Sequence, residues 1–134
     1  MSALSTYLEN KLVDHVLRNT AFTSPGTSVY VGLVKYYTAG TLEAGTLTEE
    51  ASGGSYARVQ VTAWDAASDG ATANTSAITF PTATGDWGMI SGVIISDAAS
   101  AGNVLLHGSL TTARDVKNGD VFKFNAGDLD VTFA

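Results

Sequence analysis

The sequence contains no cysteine and only two histidines, and each scarcity removes a class of chemistry. Without cysteine there is no disulfide, no thiolate metal ligand and no cysteine nucleophile. His15 and His107 stand alone, with no second ligand or base at the spacing of a known motif. A Gly-x-Ser-x-Gly elbow and a phosphate-binding Gly-x-x-x-x-Gly-Lys loop are also missing. We therefore expect a protein that is not an enzyme, with no catalytic residue, no metal and no cofactor.

Charged side chains are also scarce, at 15% of the residues, and their signs are unbalanced. Thirteen acidic residues against seven basic ones give a formal net charge of −6, which repels a phosphate backbone and argues against a nucleic-acid partner. Alanine, serine, threonine and glycine take the place of the missing charges. Because small neutral side chains suit close packing against neighbouring subunits, the composition favours a protein that assembles with other proteins.

Long apolar runs are lacking as well. Residues 1–10 have neither the basic start nor the apolar stretch of a signal peptide. The longest nearly apolar stretch, residues 88–95, is far shorter than the ~20 residues that a helix needs to cross a bilayer. We therefore expect no membrane partner.

What the sequence does contain begins with the period of an amphipathic helix. The apolar stripe consists of Leu4, Leu8, Leu12 and Val16, widened by Val13 and Leu17. The pattern predicts a helix that ends near Asn19. Thr6 and Glu9 have the spacing of a capping box, while Ser2 and Ser5 are alternative N-caps. The stripe either covers one end of the protein's own β-structure or packs on a neighbouring subunit, and the sequence leaves both alternatives open.

From residue 27 onward the apolar period changes to two, which is typical of half-buried strands. The candidate strands are residues 29–34, 57–64, 77–80, 89–96, 104–109, 121–124 and 129–133. Such spacing predicts a mainly β protein: an antiparallel β-sandwich or a jelly-roll-like barrel with one N-terminal α-helix. We expect a single domain over residues 1–134, with the helix in 1–20 and the β-sandwich in 27–134. Within it, residues 37–55 and 66–76 are predicted to be loops.

Two local patterns suggest ligand sites. Residues 65–70 superficially resemble a calcium loop, but the alternating aspartates and the closing glutamate are missing, so we interpret them as a turn. A carbohydrate platform is the alternative for the aromatic residues, which are Tyr30, Tyr36, Tyr37, Tyr56, Trp64 and Trp87. Rings at strand ends are more typical of a core rim or a protein interface, so we favour an interface.

Several segments together resemble a family of small phage and prophage proteins. They are residues 4–12, 14–20, 56–58, 78–81, 86–88 and 119–129. Members of that family usually carry the label "phage tail fibre protein". The resemblance covers nearly the whole chain, and it implies a structural protein of the virion without catalytic residues. Residues 36–54 depart from the family pattern, because they are longer and less regular.

Among virion proteins, the small size and the all-β pattern favour a capsid cement (decoration) protein. A cement protein binds across subunits of the major capsid protein and stabilises the head, often as a dimer or trimer. We therefore predict a homotrimer or homodimer on the capsid surface, with the major capsid protein as its partner. The alternative is a tail fibre, tail adaptor or receptor-binding protein. The predicted contact residues are Leu4, Leu8, Leu12, Val16, Tyr36 and Tyr37, together with the loop at 37–55.

Overall fold

The computed structural model describes residues 3–133, which contain two helices and nine strands. The helices are α1 (Thr6–Leu17) and α2 (Ala39–Glu43). The strands are β1 (Ala3–Leu4), β2 (Tyr30–Val34), β3 (Val59–Gln60), β4 (Ala71–Ala73), β5 (Ile78–Thr79), β6 (Gly88–Ser96), β7 (Val104–Val116), β8 (Lys123–Phe124) and β9 (Asp130–Thr132). All pairings between strands are antiparallel, so the predicted mainly β, antiparallel class with one main N-terminal helix is confirmed.

The helix α1 begins at a serine cap and ends two residues before the predicted Asn19. Ser5 is the N-cap, since its Oγ accepts a hydrogen bond from the Leu8 N–H at 3.2 Å. The prediction of a capping box that starts at Thr6 is therefore wrong. The other predicted cap, Ser2, lies outside the described residues. Leu4 precedes the helix and pairs with Leu106 in the main sheet.

The main sheet has five strands in the order β1-β7-β6-β2-β3. Its centre is the long hairpin of β6 and β7, whose register shifts between Ile90 and Gly92. One face is apolar: Val31 lies opposite Ile95, and Ile95 lies opposite Leu106. This face packs against two small ribbons, β4 with β9 and β5 with β8, whose buried side chains include Phe124 and Val131. The result is a two-layer β-structure, and residues 3–133 form no closed barrel.

The opposite face of the sheet carries a second, smaller apolar cluster of Val34, Ile94 and Val104. Leu42 of α2 covers it and is 1% exposed. The segment predicted as an open loop at 37–55 therefore contains a one-turn helix held on the sheet by Leu42. Burial of one leucine explains why so short a helix forms here.

Strand boundaries differ from the predicted ones where side chains are small or the backbone is irregular. The strands β2 and β6 match the predicted 29–34 and 89–96 closely. Of the predicted strand at 57–64, only Val59–Gln60 pairs regularly, apart from an isolated bridge at Trp64. The predicted loop at 66–76 contains β4, which pairs with β9.

Candidate functional site

The apolar stripe of α1 is buried in the protein's own core only over the first half of the helix. Leu8 is 4% exposed and belongs to the main core, and Leu12 is half-buried at its edge. Val16, one turn further on, is 72% exposed. The first half of the stripe therefore covers the protein's own sheet, which is one of the two alternatives left open by the sequence. The second half is free at the surface of residues 3–133.

Three exposed apolar side chains at the end of α1 form what we term the α1 ridge: Val13, Val16 and Leu17. Their exposed fractions are 52%, 72% and 77%. The spacing of three and four residues places them side by side on one surface of the helix. Solvent-facing helix positions are normally polar, so this exposed apolar cluster is a candidate interaction site.

An apolar depression lies beside the ridge, and we term it the α1 groove. Its open part is lined by Leu12, Phe22, Pro25, Val29, Trp64 and Phe133, and its volume is about 230 Å³. The exposed lining is apolar throughout. The floor of the groove is the main sheet, represented by Ile95 and Leu105. The sequence contained a signal for the ridge, namely the stripe itself, but none for the groove, which joins distant segments.

A hydrogen bond fixes the groove relative to the helix. The backbone N–H of Phe22 donates to Nδ1 of His15 at 3.1 Å. The segment after α1 therefore folds back beside the helix, and it places Phe22 and Pro25 in the wall of the groove. His15 thus has a structural contact, and it belongs to no group of three or more potential metal ligands among residues 3–133.

The two predicted contact tyrosines point in different directions. Tyr36 is 67% exposed, whereas Tyr37 is half-buried against His107. The Tyr37 hydroxyl lies 2.9 Å from His107 Nδ1, and the Tyr37 N–H donates to Ser91 Oγ at 2.8 Å. Tyr36 remains a predicted contact residue, while Tyr37 fixes the α2 segment on the sheet.

His107 is a buried histidine on the second face of the sheet and is 2% exposed. Its Nε2 has no hydrogen-bond partner among residues 3–133. Burial lowers the pKa of His107, opposed by the charges of Glu43 and Glu9. Burial also raises the pKa of Tyr37, and Glu43 adds to that effect. The pair is thus held neutral, as expected of a structural contact.

A second polar cluster joins Glu50, Tyr56 and Arg58. Arg58 donates from Nε to Glu50 Oε2 at 2.7 Å and from Nη2 to Glu50 Oε1 at 2.8 Å. The Tyr56 hydroxyl donates to Glu50 Oε2 at 2.7 Å and accepts from the Leu33 N–H at 2.9 Å. Burial, followed by the charge of Glu50, raises the pKa of Tyr56, and the hydrogen bond to Glu50 raises that of Arg58. Sequence analysis missed this cluster because its three members follow no period.

Neither Trp87 nor residues 65–70 provide the ligand sites weighed in the sequence. Trp87 is 2% exposed and its Nε1 donates to the Gly54 carbonyl at 2.9 Å, so it is no sugar platform. Asp65 accepts from the Thr75 hydroxyl at 2.9 Å, and Asp69 and Gly70 form a left-handed turn. Among residues 3–133, no three histidine or carboxylate side chains are grouped as a metal site. No described helix has the length and hydropathy of a membrane span.

Comparison with known proteins agrees with the resemblance in the sequence. A search of the curated proteins finds no significant match. Residues 3–132, nearly the whole chain, match the family described as "Podophage GP4 fiber I protein gp80". The resemblance to phage tail fibre-type proteins is therefore confirmed, and the chain belongs to the Podophage GP4 fiber I protein gp80 family.

Proposed function

We propose that the protein is a non-enzymatic structural subunit of a phage tail fibre, which assembles through the apolar surface at the end of α1. Membership of a phage fibre family indicates a structural protein of the virion. The observation that carries the assembly role is the α1 ridge. Two of its three side chains are more than 70% exposed, although they are as apolar as the core.

The polar chemistry of the described residues supports a structural role. The two buried titratable clusters, around His107 and around Arg58, connect separate parts of the fold. Neither combines a nucleophile with a base at an open cleft, which is the arrangement that hydrolytic catalysis requires. In the proposed role these clusters maintain the shape of the subunit, and the α1 ridge makes the contacts with other proteins.

A capsid cement protein remains the second candidate, and one observation favours it. Residues 3–133 fold as a two-layer β-structure in which β1 and α1 at the start contact β7 near the end, with no elongated repeat. A short compact subunit of this kind suits attachment across neighbouring capsid subunits, where many weak contacts act together. In that role its partners are the major capsid protein and other copies of itself.

Copy number per virion separates the two candidates. We would purify virions and measure the ratio of this protein to the major capsid protein by quantitative mass spectrometry. A ratio far below one, with antibody labelling on the tail in electron micrographs, is expected for a fibre subunit. A ratio near one, with labelling over the head, would overturn the fibre proposal in favour of the cement protein. Absence from purified virions would overturn both.

A further inference from the structure

Residues 36–48, which include α2, form what we term the α2 flap, and it lies on the second face of the main sheet. Its base is closed by the Lys35 N–H, which donates to the Glu49 carbonyl at 2.8 Å. Just beyond the base, the Ala51 N–H donates to the Leu33 carbonyl at 2.9 Å. Backbone bonds at the end of β2 therefore anchor both ends of the flap, independently of the contacts that hold its middle.

The middle of the α2 flap is held by few contacts. The helix α2 has five residues and no side-chain cap at Thr38, so it is not stable by itself. Leu42 and the half-buried Leu47 cover the smaller apolar cluster of the sheet. Tyr37 adds the contact between its hydroxyl and His107. A segment held in this way can open locally while the sheet beneath it stays folded.

The polar group beneath the flap is His107. Its Nδ1 lies 2.9 Å from the Tyr37 hydroxyl, and the centroids of the two rings are 5.8 Å apart. Its Nε2 is buried without a hydrogen-bond partner among residues 3–133. A neutral imidazole has one donor and one acceptor nitrogen, and a tyrosine hydroxyl can bond to either. The closed flap therefore satisfies one nitrogen of a neutral ring and leaves the other without a partner.

Protonation of His107 makes the closed flap unfavourable. Both nitrogens of the charged ring are donors, so Nε2 then holds a buried, positively charged N–H group without an acceptor. Burying a charge that lacks a partner costs much more than burying a neutral polar group. Water can accept from both N–H groups, and opening of the flap gives water access to the ring.

The charged groups around His107 oppose this effect only in part. Glu43 of α2 and Glu9 of α1 both favour the protonated ring, but burial has the larger effect and lowers the pKa of His107. Tyr37, the third titratable group facing His107, has a raised pKa and stays neutral. The neighbouring strands β1 and β6 contain no titratable side chain. Because Glu43 belongs to the flap, its carboxylate moves away from His107 when the flap opens.

We propose that the α2 flap is an acid-sensitive lid: protonation of His107 releases Tyr37 and Leu42 from the sheet, while the base of the flap and the rest of the fold stay in place. Opening uncovers the smaller apolar cluster, so the protein presents different surfaces at neutral and at acid pH. Such a response belongs to the single chain and goes beyond the proposed role in the virion.

Hydrogen exchange of single amides, followed by NMR on the full chain, tests the lid. The reporters are the Leu42 N–H, which donates to the Thr38 carbonyl at 3.2 Å, and the Thr46 N–H, which donates to the Thr41 carbonyl at 2.8 Å. Their protection factors correct for the intrinsic effect of pH on exchange. We expect them to be at least about tenfold below those of amides in β2 and β6. They should fall a further three- to tenfold, roughly, between about pH 7.5 and pH 5.5.

Substitutions of titratable groups assign the effect to His107. His107→Gln should remove the fall in flap protection, whatever its effect on overall stability. Glu43→Gln should enlarge the fall, because the Glu43 carboxylate favours the protonated ring only while the flap is closed. Glu49→Gln is the matched control: Glu49 is also half-buried and lies at the base of the flap, but it does not act on His107. It should keep the wild-type fall.

Three outcomes would overturn the lid. The first is that the flap amides have the same protection factors as amides in β2 and β6, because the flap would then open only when the whole protein unfolds. The second is flap protection that does not fall in acid. The third is a fall that persists in His107→Gln. Copy number in virions is measured separately, so the lid and the proposed function are tested independently.

Discussion

Arg58 connects three parts of the chain through one guanidinium group. Besides Glu50, its Nη1 donates to the Ser96 hydroxyl at 2.9 Å and to the carbonyls of Ala98 and Ala101 at 2.8 and 3.0 Å. The side chain of Arg58 is 1% exposed, whereas that of Glu50 is 15% exposed. The loop between β6 and β7 is therefore anchored to the segment around Glu50 by a buried charge.

Removing this guanidinium should destabilise the protein strongly. Arg58→Met leaves the Glu50 carboxylate without its positive partner and two carbonyls without the guanidinium donor, so we expect the free energy of unfolding to fall by about 3–5 kcal/mol. Urea denaturation measures it. Arg18→Met is the control, since Arg18 forms an exposed pair with Asp14 at 3.1 Å, and its loss should cost less than about 0.5 kcal/mol. Equal effects of the two substitutions would contradict the structural role of Arg58.

His107 should make stability depend on pH. Burial lowers its pKa in the folded state below the ordinary histidine value of 6.5, so near and below that pH the unfolded chain binds more protons than the folded one. The contribution of His107 is complete above the unfolded pKa and is lost as pH falls towards the folded pKa. We expect the free energy of unfolding to decrease between about pH 7 and pH 5.

Substitution separates this effect from carboxylate titration. His107→Gln should flatten the decrease over that pH interval, as measured by urea denaturation at each pH. His15→Gln, at the other and exposed histidine, should leave the decrease in place. If both variants keep the wild-type pH profile, His107 is not its cause.

At the scale of elements, α1 depends on its N-cap residue for attachment to the sheet. The Ser5 hydroxyl donates to the Val104 carbonyl and accepts from the Leu8 N–H, and the Ser5 N–H donates to the Leu105 carbonyl at 2.9 Å. The N-cap of the helix is thus also its connection to β7.

Loss of the Ser5 hydroxyl should weaken both the helix cap and the connection of α1 to β7. We expect Ser5→Ala to lower the free energy of unfolding by about 2 kcal/mol, because a helix cap and a buried acceptor lose their partner. Thr6→Ala is the control: it removes the neighbouring hydroxyl, which is exposed and starts the capping box that does not form. Chemical denaturation should find Thr6→Ala near wild type, and the opposite order of effects would contradict Ser5 as the cap.

The elements that could be predicted from sequence are those with a sustained period. The stripe of α1 and the alternation in β2 and β6 predicted those three elements nearly to their ends. The strand β4 could not be predicted, since its sequence Ala-Thr-Ala has little strand preference and it is paired only by β9. The predicted strand at 104–109 continues to Val116, because the start of β6 also needs a partner.

The candidate site was predictable only in part, for a physical reason. The repeat of apolar residues shows that α1 has an apolar side. It does not show how far along the helix the sheet continues beneath that side. Leu8 lies over the sheet and Val16 lies beyond it, although the two have the same place in the pattern. The groove joins α1 to Trp64 and Phe133, which no local signal connects. The roles of Leu4, Leu12 and Tyr36 as contacts with another protein stay predictions.

At the scale of the whole molecule, the uneven distribution of charge should govern association. Each copy has a net charge of −6, which is carried by the residues after position 30. The residual repulsion between two copies is therefore long-ranged, and salt screens it within a Debye length of ~10 Å at 0.1 M.

Added salt should therefore strengthen any association between copies. We expect the Kd of self-association to fall several-fold between about 0.02 and 0.3 M sodium chloride, as measured by sedimentation equilibrium. Val16→Asp at the same salt concentrations shows how much association does not depend on the ridge. A Kd that rises with salt would instead indicate ion pairs across the interface, contrary to an apolar one.

The pairing of the start of the chain with β7 also has a consequence for the order of folding. The bond between Ser5 and Val104 spans 99 residues, so α1 is synthesised first but finds its place only after β7 exists. Docking of α1 should then follow the folding transition state. Leu8→Ala should accelerate unfolding and leave the refolding rate nearly unchanged in stopped-flow experiments. During synthesis, Leu8 and the ridge are exposed together until β7 has been made. We expect nascent chains to aggregate most readily in that interval.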